Sequence, residues 1–227
     1  MKKIPNQIAI DGTAASGKTT VGKITAKKLN YIFFDTGIMY RVAAYGAFQK
    51  LHDISDEKQV SEVVETMNIE LESDAATGVT NVLLDGQNIT DRLHLPEVDK
   101  IVSTVAAYPA VRAALTKQQR RIGLQGKVVM VGRDIGTVVM PDAEMKIYLE
   151  ASAETRAKRR HAENLSNNIE SNYEEVLADV IKRDKADMER AVAPLRPADD
   201  AVIIHTDEIT AEEVAEKILG LMDPYVG

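Results

Sequence analysis

Eight residues near the start of the chain, Gly12-Thr13-Ala14-Ala15-Ser16-Gly17-Lys18-Thr19, follow the pattern G-x-x-x-x-G-K-[ST]. Each position suits a polyphosphate for its own chemical reason. The glycines let the backbone curl until successive N–H groups face one anion. A helix opening directly after the loop adds the positive end of its dipole. Lys18 has the reach for β- and γ-phosphates, and Thr19 offers a hydroxyl to Mg²⁺, with Thr20 closing the stretch expected to hold ATP. A chain of 227 residues meets this pattern by chance about once in a hundred. The match also falls between a strand and a helix, the context the motif needs. The loop alone does not select a reaction. A GTPase would carry an N-K-x-D guanine reader, which the sequence lacks, and a motor or transporter ATPase would usually be larger.

Further groups have chemistry to offer. Asp35 and the pair Arg133-Asp134 each follow an apolar run, where open α/β sheets place their ligands. Asp35 is equally well explained as a turn residue, whereas an adjacent Arg-Asp pair between two glycines is harder to dismiss. Arg112 stands in the first turns of a helix after Pro109 and opposes its dipole by a few tenths of a kcal/mol, a weak hint of a task elsewhere. Arg183, Asp187 and Arg190 are spaced four and three apart and share one helix face. By spacing alone they suit a solvated ion-pair ladder better than a site. Arg156-Ala157-Lys158-Arg159-Arg160 concentrates four cations in five residues. That segment is either a solvated helix end or the hinge of a lid whose arginines, Arg156 and Arg159 among them, cover ATP phosphates on closure. A lid that keeps water from the transferred group favours a small-molecule kinase.

The elements that must position these residues follow from apolar patterning. Strand 7–10, helix 17–29, strand 31–34 and helix 38–51 predict a parallel sheet covered by helices. The middle differs: a helix over 55–67, then alternating strands at 69–72 and 81–84 with an Asp85-Gly86 turn, predict an antiparallel insertion over about 55–95. Pro96 and Pro109 open two helices, the second over 110–122, before strands 127–131 and 146–149 resume the parallel pattern. Residues 153–171 show no clear apolar face. Ser171 with Glu174 predicts a capping box opening a helix through Arg190, and Thr210 with Glu213 another after strand 201–204.

Composition excludes several classes. With 44% hydrophobic residues the chain buries a substantial core, and no run approaches the roughly 20 apolar residues of a membrane span. Met1-Lys2-Lys3 begins like a signal peptide, but Asn6, Gln7 and Asp11 interrupt any apolar region, so a cytoplasmic protein is expected. There are no cysteines, hence no disulfide or thiolate metal site, and His52, His94, His161 and His205 are not paired at ligand spacing. A net charge of −7 argues against non-specific nucleic-acid binding. No amphipathic stripe stands out as a spare interface, which favours a monomer.

Three segments carry a resemblance: Asp35-Thr36-Gly37-Ile38-Met39-Tyr40-Arg41, Gly132-Arg133-Asp134-Ile135-Gly136-Thr137-Val138-Val139 and Arg190-Ala191-Val192-Ala193-Pro194-Leu195. With the phosphate loop, and in this order over nearly the whole chain, they resemble the bacterial cytidylate kinase family. The resemblance implies an α/β P-loop kinase core with a parallel sheet flanked by helices (1–36, 96–152 and 191–227), a nucleoside-monophosphate-binding insertion with its flanking helix (37–95) and a short lid with the following helix (153–190). It implies ATP- and Mg-dependent phosphoryl transfer to CMP or dCMP. Ser103, Arg112 and Asp134 would read cytosine, Asp35 would belong to the acceptor side, and Arg183 and Asp187 would hold ribose and phosphate. Arg41, Arg133 and Arg190 would grip the acceptor phosphate, with Lys18, Arg133 and Arg190 catalytic. The sequence departs from the family at Val131, where an acid is frequent, at Ala186, Met188 and His94-Leu95, and at Asn30, where glycine commonly ends the helix. Other readings are a small P-loop kinase for UMP, AMP or a metabolite such as shikimate, and an ATP-binding sensor without transfer.

Overall fold

The computed structural model describes residues 4–51, 53–73 and 80–222. Met1 to Lys3, His52 and residues 74–79 of the expected insertion lie outside the described residues. Packing divides the chain into two units, one formed by residues up to Asp35 together with those from Arg120 onward, the other by Thr36–Gln119.

The first unit is built on five parallel strands: β1 (Gln7–Gly12), β2 (Ile32–Asp35), β6 (Val128–Gly132), β7 (Met145–Glu150) and β8 (Val202–His205), in the order β2-β6-β1-β7-β8. β1 is central, and Ile8, Ala9 and Ile10 are fully buried, as a strand covered on both faces requires. Register aligns Asp11 with Gly132, Gly12 with Leu149 and Asp35 with Val131. The carboxyl ends of β1, β2, β6 and β7 therefore share one edge of the sheet. α1 (Lys18–Leu29) and α8 (Ala211–Met222) pack on one face, where Val21, Ala26, Val214 and Ile218 meet Ile8, Ile10, Val129, Val131, Ile147 and Leu149. Each such Val, Ile or Leu side chain contributes about 1.5–3 kcal/mol by leaving water. Gly22 permits the close approach of α1, since a Cβ there would stand 2.6 Å from Val131 Cγ1 and 2.8 Å from the Phe33 ring. α1 ends at Asn30 in the left-handed region (φ 56°), with Tyr31 N donating to Ala26 O at 2.8 Å. Asparagine thus fills the role that glycine more often takes.

α6 (Ala153–Ser166) and α7 (Tyr173–Glu189) form a helical pair in this unit. α6 occupies the segment in which no apolar face was legible. The capping expectation for α7 is corrected by one residue. Asn172 is the cap, its side chain accepting from Glu174 N at 2.9 Å and Glu175 N at 3.2 Å, while the Ser171 hydroxyl is held by His161 and Asn164. The box before α8 is as expected: Thr210 N donates to Glu213 Oε2 at 2.7 Å and Glu213 N to Thr210 Oγ1 at 3.2 Å.

The second unit contains α2 (Thr36–Lys50), α3 (Glu57–Glu65), the antiparallel strands β3 (Ile69–Ser73), β4 (Thr80–Leu84) and β5 (Gln87–Asn88), α4 (Pro96–Ala107) and most of α5 (Pro109–Gly123). Asp85 and Gly86, both at positive φ, make the expected hairpin turn. α4 packs on α2, so residues 96–119, expected with the core, group with the insertion.

Candidate active site

The loop between β1 and α1 has the geometry of an anion nest. Ala15 (φ 59°) and Gly17 (φ 93°) take left-handed conformations among their neighbours, which turns successive N–H groups toward one side. Gly12 must lack a side chain, because a Cβ would lie 2.4 Å from Leu149 O of β7. Lys18 Nζ donates to Thr13 O at 2.6 Å. Desolvation, then repulsion from Arg133, lower the Lys18 pKa to about 7, while Asp35, Asp11 and Asp187 pull it back up. Lys18, Arg133 and Asp187 thus feel one another's charge. Thr19 Oγ1 donates to Asp35 Oδ2 at 2.9 Å, and Thr19 and Thr20 are exposed.

Asp11 was not singled out in the sequence. It is buried and accepts from Ile135 N at 2.8 Å and Gly136 N at 2.7 Å, fixing the wide turn Ile135–Val139 that follows Arg133-Asp134. Burial raises its pKa to about 6 against the pull of those two amides, and the nearby charge of Asp134 adds to the rise. The available signal was a carboxylate closing an otherwise apolar buried run.

On the same edge, Arg133 Nε donates to Asp187 Oδ2, and Arg190 lies 3.8 Å from both Asp134 and Asp187. Arg190 also donates to Ala193 O just beyond α7. Four expected residues, Arg133, Asp134, Asp187 and Arg190, are therefore one charge network, and Arg183, one turn before Asp187 on α7, is exposed.

Arg156 and Arg159, the two arginines expected in a lid, are engaged by protein. Arg156, 3% exposed, donates from Nε to Ala151 O at 3.0 Å and from Nη1 to Ala14 O at 3.1 Å, and pairs with Asp184 through both terminal nitrogens. Removing one partner of such a buried pair typically costs about 3–5 kcal/mol. Arg159 donates to Thr206 O and to Thr206 Oγ1, and that hydroxyl lies 3.4 Å from Ser16 O as a donor. Asp184 and Thr206 were likewise missed. Asp184 passed for one more charge on α7, and Thr206 follows the last strand without a motif.

The second unit carries Arg41, Ser103 and Arg112. Arg41 Nη1 donates to Leu93 O at 2.9 Å and to Asp99 Oδ1 at 2.5 Å. Arg112 is buried, donates to Ala106 O at 3.2 Å and lies over the Tyr40 ring at 5.3 Å from its centroid. Ser103 is exposed on α4. Among the described residues no group of three or more His, Asp or Glu side chains is placed to hold a metal, and no helix is long and apolar enough to cross a membrane. An open cavity of about 480 Å³ lies at the amino ends of the strands, lined in part by Asn6, Leu124 and Glu144, far from the loop's edge of the sheet.

The model of the cytidylate kinase family matches residues 8–223. Curated relatives include the cytidylate kinases of Bacillus thuringiensis (strain Al Hakam) and Bacillus anthracis (strain A0248), each 46% identical over 215 residues, which is 95% of this chain and 95% of the relative. Among solved structures, an uncharacterized protein from Eubacterium ventriosum ATCC 27560 superposes with a TM-score of 0.52 at 13% identity, covering 96% of this chain and 98% of that one. Shikimate kinase from Bacteroides thetaiotaomicron superposes with a TM-score of 0.51 at 14% identity, covering 94% and 96%. These two likenesses concern the fold alone.

Proposed function

Because the chain belongs to the cytidylate kinase family, we propose that it transfers the γ-phosphoryl group of Mg-ATP to CMP or dCMP using the residues assigned above. One observation carries the assignment: strand register sets Asp11, which precedes the phosphate loop, beside Gly132, which precedes Arg133, so the loop and the network of Arg133, Asp134, Asp187 and Arg190 share one edge of the sheet.

The acceptor is a phosphate whose second pKa is near 6, so its oxygen is anionic at neutral pH and needs no general base. The difficulty is aligning two strongly negative groups. Lys18, Arg133 and Arg190 meet it by positioning and charge neutralisation, with the planar guanidinium forks engaging phosphate oxygens in pairs. In the second unit Arg41 has the same task. The nest N–H groups of residues 12–19 cradle the donor. Asp187 accepts from sugar hydroxyls, and Arg183 adds a cation on the same helix. Asp134, with Ser103 and Arg112, reads cytosine: a carboxylate accepts from the exocyclic amino group but meets the uracil carbonyl as acceptor against acceptor, a mismatch that such sites reject strongly.

Oxygen ligands suit Mg²⁺, which binds through one or two side chains plus nucleotide phosphates rather than an all-protein cage. The Thr19 hydroxyl and Asp35 carboxylate, hydrogen-bonded at 2.9 Å, fit it. Bound there, the ion would spread the charge of the β- and γ-phosphates. Val131 is buried beneath α1 and supplies no acid, and Asp35, assigned to the acceptor side, borders the metal site through its bond from Thr19. We assign the protein as a monomer, since no amphipathic stripe of the sequence stands out as a spare interface, and to the cytoplasm, where its substrates are formed and used.

A coupled assay with ATP, Mg²⁺ and a panel of CMP, dCMP, UMP, AMP and shikimate tests this function. CMP and dCMP should show the highest kcat/KM, with turnover abolished by EDTA. Preference for another acceptor, or ATP binding without product from any, refutes it.

A further inference from the structure

Arg156 was expected to face the donor phosphates, yet it is buried and each of its three side-chain nitrogens is held by protein. What it holds is informative. One end of the guanidinium donates to the carbonyl of Ala14, inside the phosphate loop, at 3.1 Å. The described residues contain no cis peptide bond, and in a planar trans peptide the C=O and the following N–H point in opposite directions. Drawing the Ala14 carbonyl toward Arg156 therefore aims the Ala15 N–H directly away from it. Ala15 is also the residue at φ 59° that gives the nest its curl. The orientation of one cradle donor is thus set from outside the cradle.

The same guanidinium pairs with Asp184, which lies on α7 one turn before Asp187 and two before Arg190. Those two residues form the charge network with Arg133 and Asp134. A single buried ion pair consequently joins a donor-loop peptide to the helix bearing acceptor-side groups. The link between Ser16 O and Thr206, and from Thr206 to Arg159, braces the loop without touching α7. It provides an internal control.

We propose that the Arg156–Asp184 pair is a positioning element that couples donor and acceptor binding, because it ties the Ala14–Ala15 peptide of the loop to the acceptor-bearing end of α7. Donor phosphate that tightens this peptide also steadies α7 and so raises acceptor affinity, and by linkage CMP raises donor affinity by the same factor. The proposal rests on the kinase assignment of both sites.

The test is calorimetric titration of CMP into the protein with and without a saturating non-hydrolysable ATP analogue and Mg²⁺. In the wild type the analogue should tighten CMP at least about fivefold, at the lower end of ordinary coupling. In Asp184→Asn and Arg156→Lys, neither of which retains a bidentate charged pair, that factor should fall to within about twofold of unity. Thr206→Val should weaken the analogue while leaving the factor intact. A purely structural brace would lower the unfolding temperature of the two pair variants and leave the factor unchanged, which overturns the proposal. So would absence of coupling in the wild type, or unfolding of both pair variants at the assay temperature, which would make the pair a stability element only. Failure of the kinase assignment is read separately, as no phosphoryl transfer by the wild type in the acceptor panel.

Discussion

Asp11 ties the buried centre of the sheet to the turn carrying Arg133 and Asp134, and its replacement by asparagine has a calculable pH signature. Burial raises its pKa from 3.8 to about 6, although Ile135 N and Gly136 N both donate to the carboxylate. Two pKa units correspond to ~3 kcal/mol between protonation states. The folded-state value lies above the unfolded one, so the folded protein binds the proton more tightly between about pH 4 and 6. The stabilisation is complete below about pH 4 and is lost as pH rises through 6. Asp11→Asn removes this dependence. The amide oxygen still accepts from one N–H while its NH₂ faces the other, much as the protonated carboxyl presents one carbonyl oxygen and one hydroxyl. At pH 7 the wild type bears the net cost of ionising the buried group, so the variant should be the more stable by ~3 kcal/mol. At pH 4 the wild-type carboxyl is mostly neutral, and the two proteins should differ by less than about 1 kcal/mol. Urea unfolding followed by far-UV circular dichroism from pH 4 to 8 measures the difference, from which carboxylates common to both proteins largely drop out. A stability difference that stays constant between pH 4 and 7 would refute the reasoning.

Three further outcomes are expected. With Lys18 at about 7 in the free protein, ATP phosphates should restore its proton, so binding takes up about 0.5 proton at pH 7 and about 0.9 at pH 8. Calorimetry in two buffers of different ionisation enthalpy reads this, and no buffer dependence at pH 8 would contradict it. Arg133→Ala and Arg190→Ala should each lower turnover at least about tenfold with the dichroism spectrum preserved. Wild-type rates at saturating and subsaturating CMP would remove that residue from the mechanism. Gly22→Ala drives a methyl into Val131 and Phe33 and should cost about 1–3 kcal/mol, with part recovered by adding Val131→Ala, as measured by thermal unfolding.

The parallel core and the loop were legible because both are written in local chemistry: apolar runs with turn residues, and a glycine-lysine pattern whose geometry lies in the backbone. The segment from 153 was opaque for a physical reason. The fully hidden positions of α6 are Arg156 and Ala157, and a guanidinium turned inward to meet Asp184 and two carbonyls leaves no apolar periodicity to detect. Ser171 and Asn172 are both good caps, and the choice fell to Asn172 because His161 and Asn164 claim the serine hydroxyl. Asp35 illustrates a different limit. The residues around it allowed a turn role or a ligand role, and its partner Thr19 lies sixteen positions away. Tyr40 beneath Arg112 and Asp99 against Arg41 were equally out of reach, because each contact joins separate helices.

Most of the guanidinium groups assigned to the acceptor arrive with counter-ions built into the chain: Arg133 with Asp187, Arg190 between Asp134 and Asp187, Arg41 with Asp99. Cations so accompanied cast little field beyond their immediate surroundings, and the molecule as a whole is anionic at −7. That balance does not favour long polyanions, which depend on summed attraction along a basic stripe. In the proposed site a phosphomonoester would enter by displacing a carboxylate, offering each fork more oxygens in better directions. Admission is decided at contact, by fit, with little drawn in from afar.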